Sequence, residues 1–350
     1  MGMKLAALVS AWLLALPALA APAHYVVFEV DAAGEAEPVF AARVELPARG
    51  DTVGAEAADA ARARALAGEA LRVLELRAPD GRVVFREVVA LEHRLRGEFH
   101  GKPHPAGGHE IEAHGALVER AAFVARVPAL AGARLVVDGP TRAEFDLDRL
   151  AARAGRLPLA HHTGGAAAVA RGAAGDPTNR VDLVIMGDGY TAAESALFQA
   201  QAANLEDQFL SITPYAEYRN FVNVTHLFTA SAESGADHPP FRTQNCTGDD
   251  PSCCSDPVMR DDPLRNTFVD TAFDARYCAF QIHRLLVIDV SAVLAAASAV
   301  PEWDQILVLV NDTTYGGSGG FIGVSSTHPA AVDVSRHEYG HSFTGLADEY

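Results

Sequence analysis

The hydrophobic pattern of this 350-residue chain changes near residue 175, and this change constrains the fold more than any other feature. Before it, apolar and polar residues alternate with a period of two, as in strands that bury one face. After it, short and almost wholly apolar runs alternate with segments of helical spacing, which indicates an α/β (α+β) domain. The sequence therefore predicts two domains of different class, in agreement with a chain of this length.

The first domain is predicted to span residues 21–150 and to be antiparallel and β-sandwich-like. Residues 25–30 alternate like a strand, and residues 71–85 have the pattern of a hairpin with its turn at Pro79. Residues 55–71, between these two segments, are rich in Ala and Arg and predict a short helix. Several strands separated by turn residues favour a sandwich-like arrangement.

Two segments are predicted to lack regular structure. Residues 151–178 are rich in Ala, Gly and Arg, which favours a linker between the domains. Residues 109–114 spell His-Glu-Ile-Glu-Ala-His and look like metal ligands. Histidines five positions apart on a helix, however, differ by about 140° in direction, and glycines flank the segment. We therefore expect a loop with solvated histidines there.

The second domain is predicted to span residues 179–350. Three segments have the composition or alternation of strands, namely residues 181–186, 221–228 and 305–310. Thr191 and Glu194 have the spacing of a capping box and predict a helix that ends near Phe209. Residues 268–286 contain helical spacing.

Residues 1–20 are predicted to be a signal peptide. Lys4 precedes an apolar run of about a dozen residues, and Ala18 and Ala20 form the small-x-small pattern of a cleavage site. No later stretch of the sequence is apolar enough to cross a bilayer, so we expect a secreted or periplasmic protein without stable membrane insertion. The net charge of −17, from 28 basic and 45 acidic residues, disfavours nucleic acid as a partner.

Four cysteines lie in one region of the chain, and in an exported protein they predict two disulfides. Adjacent Cys253 and Cys254 are a poor pair because a disulfide between neighbours is strained. We therefore expect Cys246 to pair with one of them and Cys278 with the other, and both assignments stay open. A structural zinc site is the rival interpretation, which the absence of a C-x-x-C pair disfavours.

The strongest chemical signal lies in the last fourteen residues. Residues 337–341 form an H-E-x-x-H motif, in which two histidines four positions apart share one face of a helix. His337 and His341 are therefore predicted to bind one catalytic zinc ion. Glu338 is then placed to take a proton from the zinc-activated water and to pass it to the leaving amine.

A catalytic zinc site needs a third protein ligand. Gly345 can end the helix and turn the chain back, which places Asp348 to supply a carboxylate oxygen. Glu349, the next residue, is the competing ligand. Metzincins use a similar glycine turn, although here the glycine lies one residue further from the second histidine.

Four segments of the second domain form a distinctive set: residues 187–191 (GDGYT), 231–237 (SAESGAD), 311 with 315–319 (N and YGGSG) and 337–350 (HEYGHSFTGLADEY). Through these segments, residues 181–350 resemble the IgA peptidase family of zinc metalloendopeptidases. The resemblance implies a zincin-like fold with His337 and His341 as zinc ligands and Glu338 as the catalytic base. By analogy with the edge strand that precedes the active-site helix in zincins, residues 315–320 are expected near the substrate cleft, with a flexible turn as the alternative.

The first domain is similar to the β-rich domain that often precedes this peptidase. Zinc proteases of this kind continue beyond the third ligand, so the family pattern predicts that the chain is truncated after Tyr350. The turn at residues 187–191 is expected to be structural rather than catalytic.

These features together predict an exported zinc-dependent endopeptidase that acts on protein or peptide substrates. Two alternatives stay open. The chain could be a secreted binding or adhesion protein whose zinc site is vestigial or incomplete, or a zinc hydrolase that cleaves amide bonds of the cell wall.

Overall fold

The computed structural model describes residues 20–47, 53–91, 94–103, 109–118, 120–163, 167–171 and 175–344. The predicted signal peptide lies outside these residues apart from Ala20, as do the predicted ligand Asp348 and its competitor Glu349. The described residues combine sheets and helices, so the α+β class is confirmed.

The first half of the chain forms antiparallel sheets and is called the β module here. Its strands are β1 (Ala20–Val30), β2 (Ala36–Pro47), β3 (Leu71–Arg77), β4 (Val83–Ala90), β5 (Arg94–Pro103), β6 (His109–Leu117), β7 (Ala121–Pro128), β8 (Arg134–Asp138) and β9 (Arg142–Asp146). Its helices are α1 (Ala55–Leu66) and α2 (Leu147–Arg153). The strand orders are β2-β1-β7, β4-β3-β8-β9 and β5-β6. The predicted hairpin and short helix are thus confirmed as β3–β4 and α1.

The two larger sheets of the β module bury one apolar core between them. Val26 and Phe28 of β1 meet Leu74 of β3 and Leu135 of β8 in this core. The Phe28 ring also stacks on Phe123 of β7, with centroids 5.1 Å apart. The alternation of the sequence therefore has its usual cause, since every second residue of a strand faces the opposite sheet.

The second half of the chain forms one mixed sheet with helices on both faces, the mixed-sheet domain. Its strands are β10 (Ala167–Arg171), β11 (Val181–Asp188), β12 (Val222–Phe228), β13 (Gln305–Val310), β14 (Gly317–Ser318) and β15 (Gly323–Ser326). Its helices are α3 (Ser195–Phe209), α4 (Tyr215–Tyr218), α5 (Val290–Ala296) and α6 (Ala331–Thr344). The strand order is β10-β12-β11-β13-β15-β14. The four inner strands are parallel, and each edge strand is antiparallel to its neighbour.

Helices α3 and α6 cover one face of this sheet, and α5 covers the other. Leu183 and Ile185 of β11 are buried together with Tyr339 of α6. Val184 and Met186 of the same strand are buried on the α5 side. Burial on both faces explains why the sequence of β11 is an almost continuous apolar run.

The β module packs against α5, so the two halves of the chain share a second core. Tyr25 and Val27, on the outer face of β1, are buried in this core. The Tyr25 hydroxyl donates to the carbonyl of Leu294 at 2.7 Å and accepts from the indole N–H of Trp303 at 3.0 Å. The Arg126 guanidinium lies 3.9 Å from the centre of the Trp303 ring. Strand β1 is therefore buried on both faces.

The predicted linker, residues 151–178, is not uniformly irregular. Residues 167–171 form β10, which pairs antiparallel with β12 and extends the sheet of the mixed-sheet domain. Ala-rich segments have low strand propensity, and strand formation here depends on pairing with an existing sheet edge, which local composition does not reveal.

Two further local predictions are wrong. Residues 109–114, expected to form a loop, belong to β6 and pair with β5, which satisfies the backbone groups on the edge of β6 that faces β5. Residues 268–286, expected to be helical, contain a single short 3₁₀ turn at Ala279–Gln281. Asp274 and Cys278 have positive φ angles, which a helix does not accept. The apolar residues of this segment face the core from an irregular backbone.

The cysteines form two disulfides, Cys246–Cys253 and Cys254–Cys278, which confirms the expectation that each neighbour pairs with a distant partner. Both bonds lie in the irregular connection between β12 and α5. Within the described ranges, no helix has the length and apolar character needed to cross a membrane.

Candidate metal centre

Helix α6 carries three of the residues that the sequence predicts for a zinc site. Positions four apart in an α-helix are separated by about 6 Å along the axis and about 40° around it, so positions 337 and 341 lie on one face. The His337 side chain is half-buried. Glu338 and His341 lie in the same helix.

The opposite side of α6 is anchored in the core by Tyr339. Its ring packs edge-on against Phe209 at 5.0 Å and against Tyr215 at 5.7 Å. Burial raises the pKa of the Tyr339 hydroxyl above its usual value, so the group stays neutral. Position 339 points about 160° away from positions 337 and 341. The predicted ligand positions therefore lie on the side of the helix that faces away from this aromatic cluster.

The first turns of α6 are held against strands β14 and β15. The Ser335 hydroxyl donates to the Ser325 hydroxyl at 2.9 Å, and both side chains are buried. A Cβ atom at Gly317 would lie 2.7 Å from Cγ1 of Val334 and 2.6 Å from the carbonyl oxygen of Val324. Because real Cβ atoms do not approach this closely, only glycine lets α6 pack against the edge strand at this point.

Replacing Gly317 with Ala is expected to destabilise the protein by about 1–3 kcal/mol, because the added methyl would clash with the backbone oxygen of Val324, which cannot move freely. Urea denaturation monitored by circular dichroism measures the loss. Gly155→Ala is the matched control, since a Cβ there meets no atom within 4 Å. Equal stability of the two variants would contradict the close packing of α6 on β14.

The outer side of β14 is already paired at Gly317. The Gly317 N–H donates to the carbonyl of Arg284 at 3.2 Å, and its carbonyl accepts from the Leu286 N–H at 3.3 Å. The Ser318 hydroxyl donates to the Leu286 carbonyl at 2.6 Å. Residues 315–320, which the resemblance implies to be near the cleft, thus border α6 on one side and the 284–286 segment on the other.

The turn after β11 is built around a buried carboxylate. Asp188 accepts hydrogen bonds of 2.9–3.1 Å from three backbone N–H groups and one hydroxyl, those of Gly189, Phe273, Ala275 and Thr271. Burial raises the pKa of Asp188 to about 6, against the opposite effect of these hydrogen bonds. Gly189 has a φ of 70°, and a Cβ there would lie 2.1 Å from the Gly235 carbonyl oxygen. These contacts give the turn a structural role.

The sequence analysis did not predict one feature of the structure, a series of four buried ionisable side chains that contact one another in turn. It consists of Asp312, His238, Asp262 and His283, which come from separate segments of the chain. All four are at most 8% exposed. No spacing rule connects these positions, because three of them lie in the irregular connection between β12 and α5 and Asp312 follows β13.

The donor set on α6 fits a zinc ion in its chemistry, since two imidazoles one helical turn apart are a common zinc pair. Within the side chains that the structure describes, no cluster of three or more His, Cys, Asp or Glu residues is placed to hold a metal ion. Asp348 and Glu349, the candidates for the third ligand, lie outside the described residues.

Comparison with known proteins gives one family. The model of the IgA Peptidase M64 family matches residues 169–248 and 250–350, more than half of the chain. The match begins inside β10, in agreement with the pairing of that strand in the mixed sheet. No curated protein matches the chain.

Proposed function

The chain belongs to the IgA peptidase M64 family, a family of metallopeptidases, and from this premise we propose that it is an exported zinc-dependent endopeptidase. The proposed zinc ligands are His337 and His341, with Asp348 as the third ligand and Glu349 as its competitor. Glu338 is the proposed general base.

One observation carries this proposal: the H-E-x-x-H segment lies in a regular helix whose other side is locked in the core. A catalytic pair must be held still, and the packing of Tyr339 and Ser335 fixes the rotation of α6. The sheet topology adds support. An antiparallel edge strand, β14, and the strand that leads into α6, β15, together border the helix. We propose that this arrangement belongs to a zincin-like fold.

The chemistry follows from the residues on α6. A zinc ion, when bound, acts as a Lewis acid that polarises the scissile carbonyl and makes water more acidic. His337 and His341 would hold it as neutral imidazoles. Glu338, next to the first ligand, accepts the proton of the attacking water and donates it to the amine that leaves when the C–N bond breaks.

Export is supported by the cysteines. Two disulfides persist in oxidising compartments and are rare in the cytosol. We therefore propose a secreted or periplasmic location, in which the substrates are proteins or peptides outside the cytoplasm.

Metal analysis of the full-length protein tests the proposal. We expect about one zinc ion per chain, loss of peptide hydrolysis on treatment with a chelator, and recovery on addition of zinc. His337→Ala and His341→Ala are each expected to lose the metal, whereas His161→Ala, at an exposed position, is expected to retain it. Full zinc content in the His337→Ala variant would refute the ligand assignment.

A further inference from the structure

His238 lies in the middle of the series of four buried ionisable side chains. Its ring is wholly inaccessible to solvent, and both ring nitrogens meet carboxylates. Nδ1 lies 2.8 Å from Oδ2 of Asp262, and Nε2 lies 3.1 Å from Oδ2 of Asp312. Nε2 of His283 lies 2.7 Å from the same oxygen of Asp262. The four side chains thus form a continuous series, Asp312–His238–Asp262–His283.

The pKa values of Asp262 and Asp312 are lowered, because their hydrogen bonds outweigh burial, and with both carboxylates ionised the geometry requires a charged imidazole at His238. An ionised carboxylate can only accept hydrogen bonds, and a neutral imidazole has a single N–H. Two carboxylate partners therefore need both ring nitrogens protonated. A buried imidazolium between two carboxylates forms charge-assisted hydrogen bonds, which are about twice as strong as neutral ones.

One end of the series fixes the backbone on the inner side of β14. The Asp312 carboxylate also accepts from the Thr314 N–H at 2.7 Å, at the start of the segment that leads into β14. The Asp312 carbonyl accepts from the N–H and the hydroxyl of Thr327 at 2.8 and 2.7 Å. Thr327 follows β15 and precedes α6, so Asp312 ties together the segments that lead into the edge strand and into the proposed catalytic helix.

The other end of the series reaches the outer side of β14. His283 immediately precedes the segment of Arg284–Leu286 that pairs with Gly317. Asp262 is held in turn by the Leu264 N–H at 2.8 Å. The segment that leads into β14, at Asp312, and the segment that pairs with β14, at Arg284–Leu286, are therefore connected through His238.

We propose that His238 is a positioning residue of the peptidase, whose charged ring holds β14 and the segment that leads into α6 in the arrangement that binds a peptide substrate. This inference rests on the proposed function. It assigns to a residue distant in sequence from the H-E-x-x-H motif the task of fixing the sheet edge beside the proposed catalytic helix. Loss of the proton removes one of the two hydrogen bonds and loosens this edge.

The ionisable groups around His238 set the direction of the pH effect. Burial disfavours the charged ring, but the hydrogen bonds and charges of Asp312 and Asp262 outweigh it and raise the pKa of His238 above 6.5. The other ionisable neighbours are His283, Asp237, which is the preceding residue, and Tyr277, whose ring is tilted against that of His238 with centroids 4.5 Å apart. Since the folded-state pKa is raised, the contribution is complete below pH 6.5 and is lost as the pH rises through the raised value.

Hydrogen exchange measures this loosening without any need for peptidase activity. In the wild type we expect the protection factors of the Thr314, Gly317 and Thr327 amides, corrected for intrinsic exchange, to fall about tenfold as the pH rises from 6.5 through the raised pKa of His238. In His238→Gln we expect low protection at every pH. Wild-type protection that stays constant across this range would overturn the proposal, and this measurement decides the matter even if the variant does not fold.

His226→Gln is the matched control. His226 is also wholly buried and lies 3.1 Å from a carboxylate, that of Glu206, but it joins β12 to α3 rather than to β14. Its loss is expected to lower stability while leaving the protection of Thr314, Gly317 and Thr327 unchanged. If both variants loosen the three amides equally, the effect is general destabilisation and the proposal fails.

Kinetics on a peptide substrate link the series to catalysis. Below pH 6.5 we expect His238→Gln to have a KM about ten times that of the wild type, with unchanged zinc content. At higher pH we expect the KM of the wild type to rise, whereas that of His238→Gln stays constant. An unchanged KM in His238→Gln, despite loosened amides, would overturn the positioning role. A wild type without hydrolysis at any pH would instead refute the proposed function, while hydrogen exchange would still test the series itself.

Discussion

Replacing Glu338 with Gln is expected to slow peptide hydrolysis by a factor of about 10²–10⁴ while leaving the fold and the zinc content unchanged. The amide has the shape of the carboxylate but cannot accept the proton of the attacking water. The effect should fall on kcat, because proton transfer belongs to the chemical step rather than to substrate binding. Initial rates on a peptide substrate, with metal analysis of the same sample, measure it.

A second carboxylate on the same helix provides the control. Asp333 lies one turn before the motif, is largely exposed and forms an ion pair of 2.7 Å with Arg336. Asp333→Asn is therefore expected to keep the wild-type rate, since exposed ion pairs contribute little to stability. Hydrolysis by Glu338→Gln at the wild-type rate would rule out the general-base assignment.

Replacing Trp303 with Ala is expected to lower the free energy of unfolding by about 3–5 kcal/mol. The indole is buried between the β module and α5, donates to Tyr25 and lies under the guanidinium of Arg126. Its removal leaves a cavity, breaks that hydrogen bond and removes a cation–π contact. Urea denaturation monitored by circular dichroism gives the free energy for the wild type and the variant.

The control for Trp303→Ala is an aromatic residue on the surface of the same domain. Phe268 is 52% exposed, and Phe268→Ala is expected to change stability by less than about 0.5 kcal/mol. A loss below about 1 kcal/mol in Trp303→Ala would mean that the interface contributes little to folding. Such a result would favour an autonomous β module, as the alternative interpretation of a binding or adhesion protein requires.

Several elements could be predicted from the sequence because their signals are local. Glu194 accepts from the backbone N–H of Thr191 at 2.8 Å, as the capping-box spacing predicts, and α3 ends at Phe209. The β3–β4 hairpin follows from its turn residues. The exclusion of a bond between neighbouring cysteines leaves two pairings, of which the structure has Cys246–Cys253 with Cys254–Cys278. The family resemblance is confirmed by the match over more than half of the chain.

The remaining features depend on contacts between distant segments, which local patterns do not contain. Strand β10 exists because β12 offers an edge to an Ala-rich segment. Residues 268–286 follow an irregular path because the buried carboxylate of Asp188 accepts hydrogen bonds from the N–H groups of Phe273 and Ala275. In a helix these N–H groups would donate to carbonyls of the preceding turn. The His238 series is invisible in the sequence for the same reason.

Both faces of β1 are buried, and this has a consequence for the order in which the protein folds. The Tyr25 hydroxyl and the Leu294 carbonyl that it contacts are separated by 269 positions. During synthesis, the β module emerges first and exposes the apolar stripe of Tyr25 and Val27 until α5 has been made. Contacts of such high sequence separation form late and slowly. The nascent β module therefore passes through a period in which its inner core is complete but the outer face of β1 is still exposed. During this period that face can associate with other apolar surfaces.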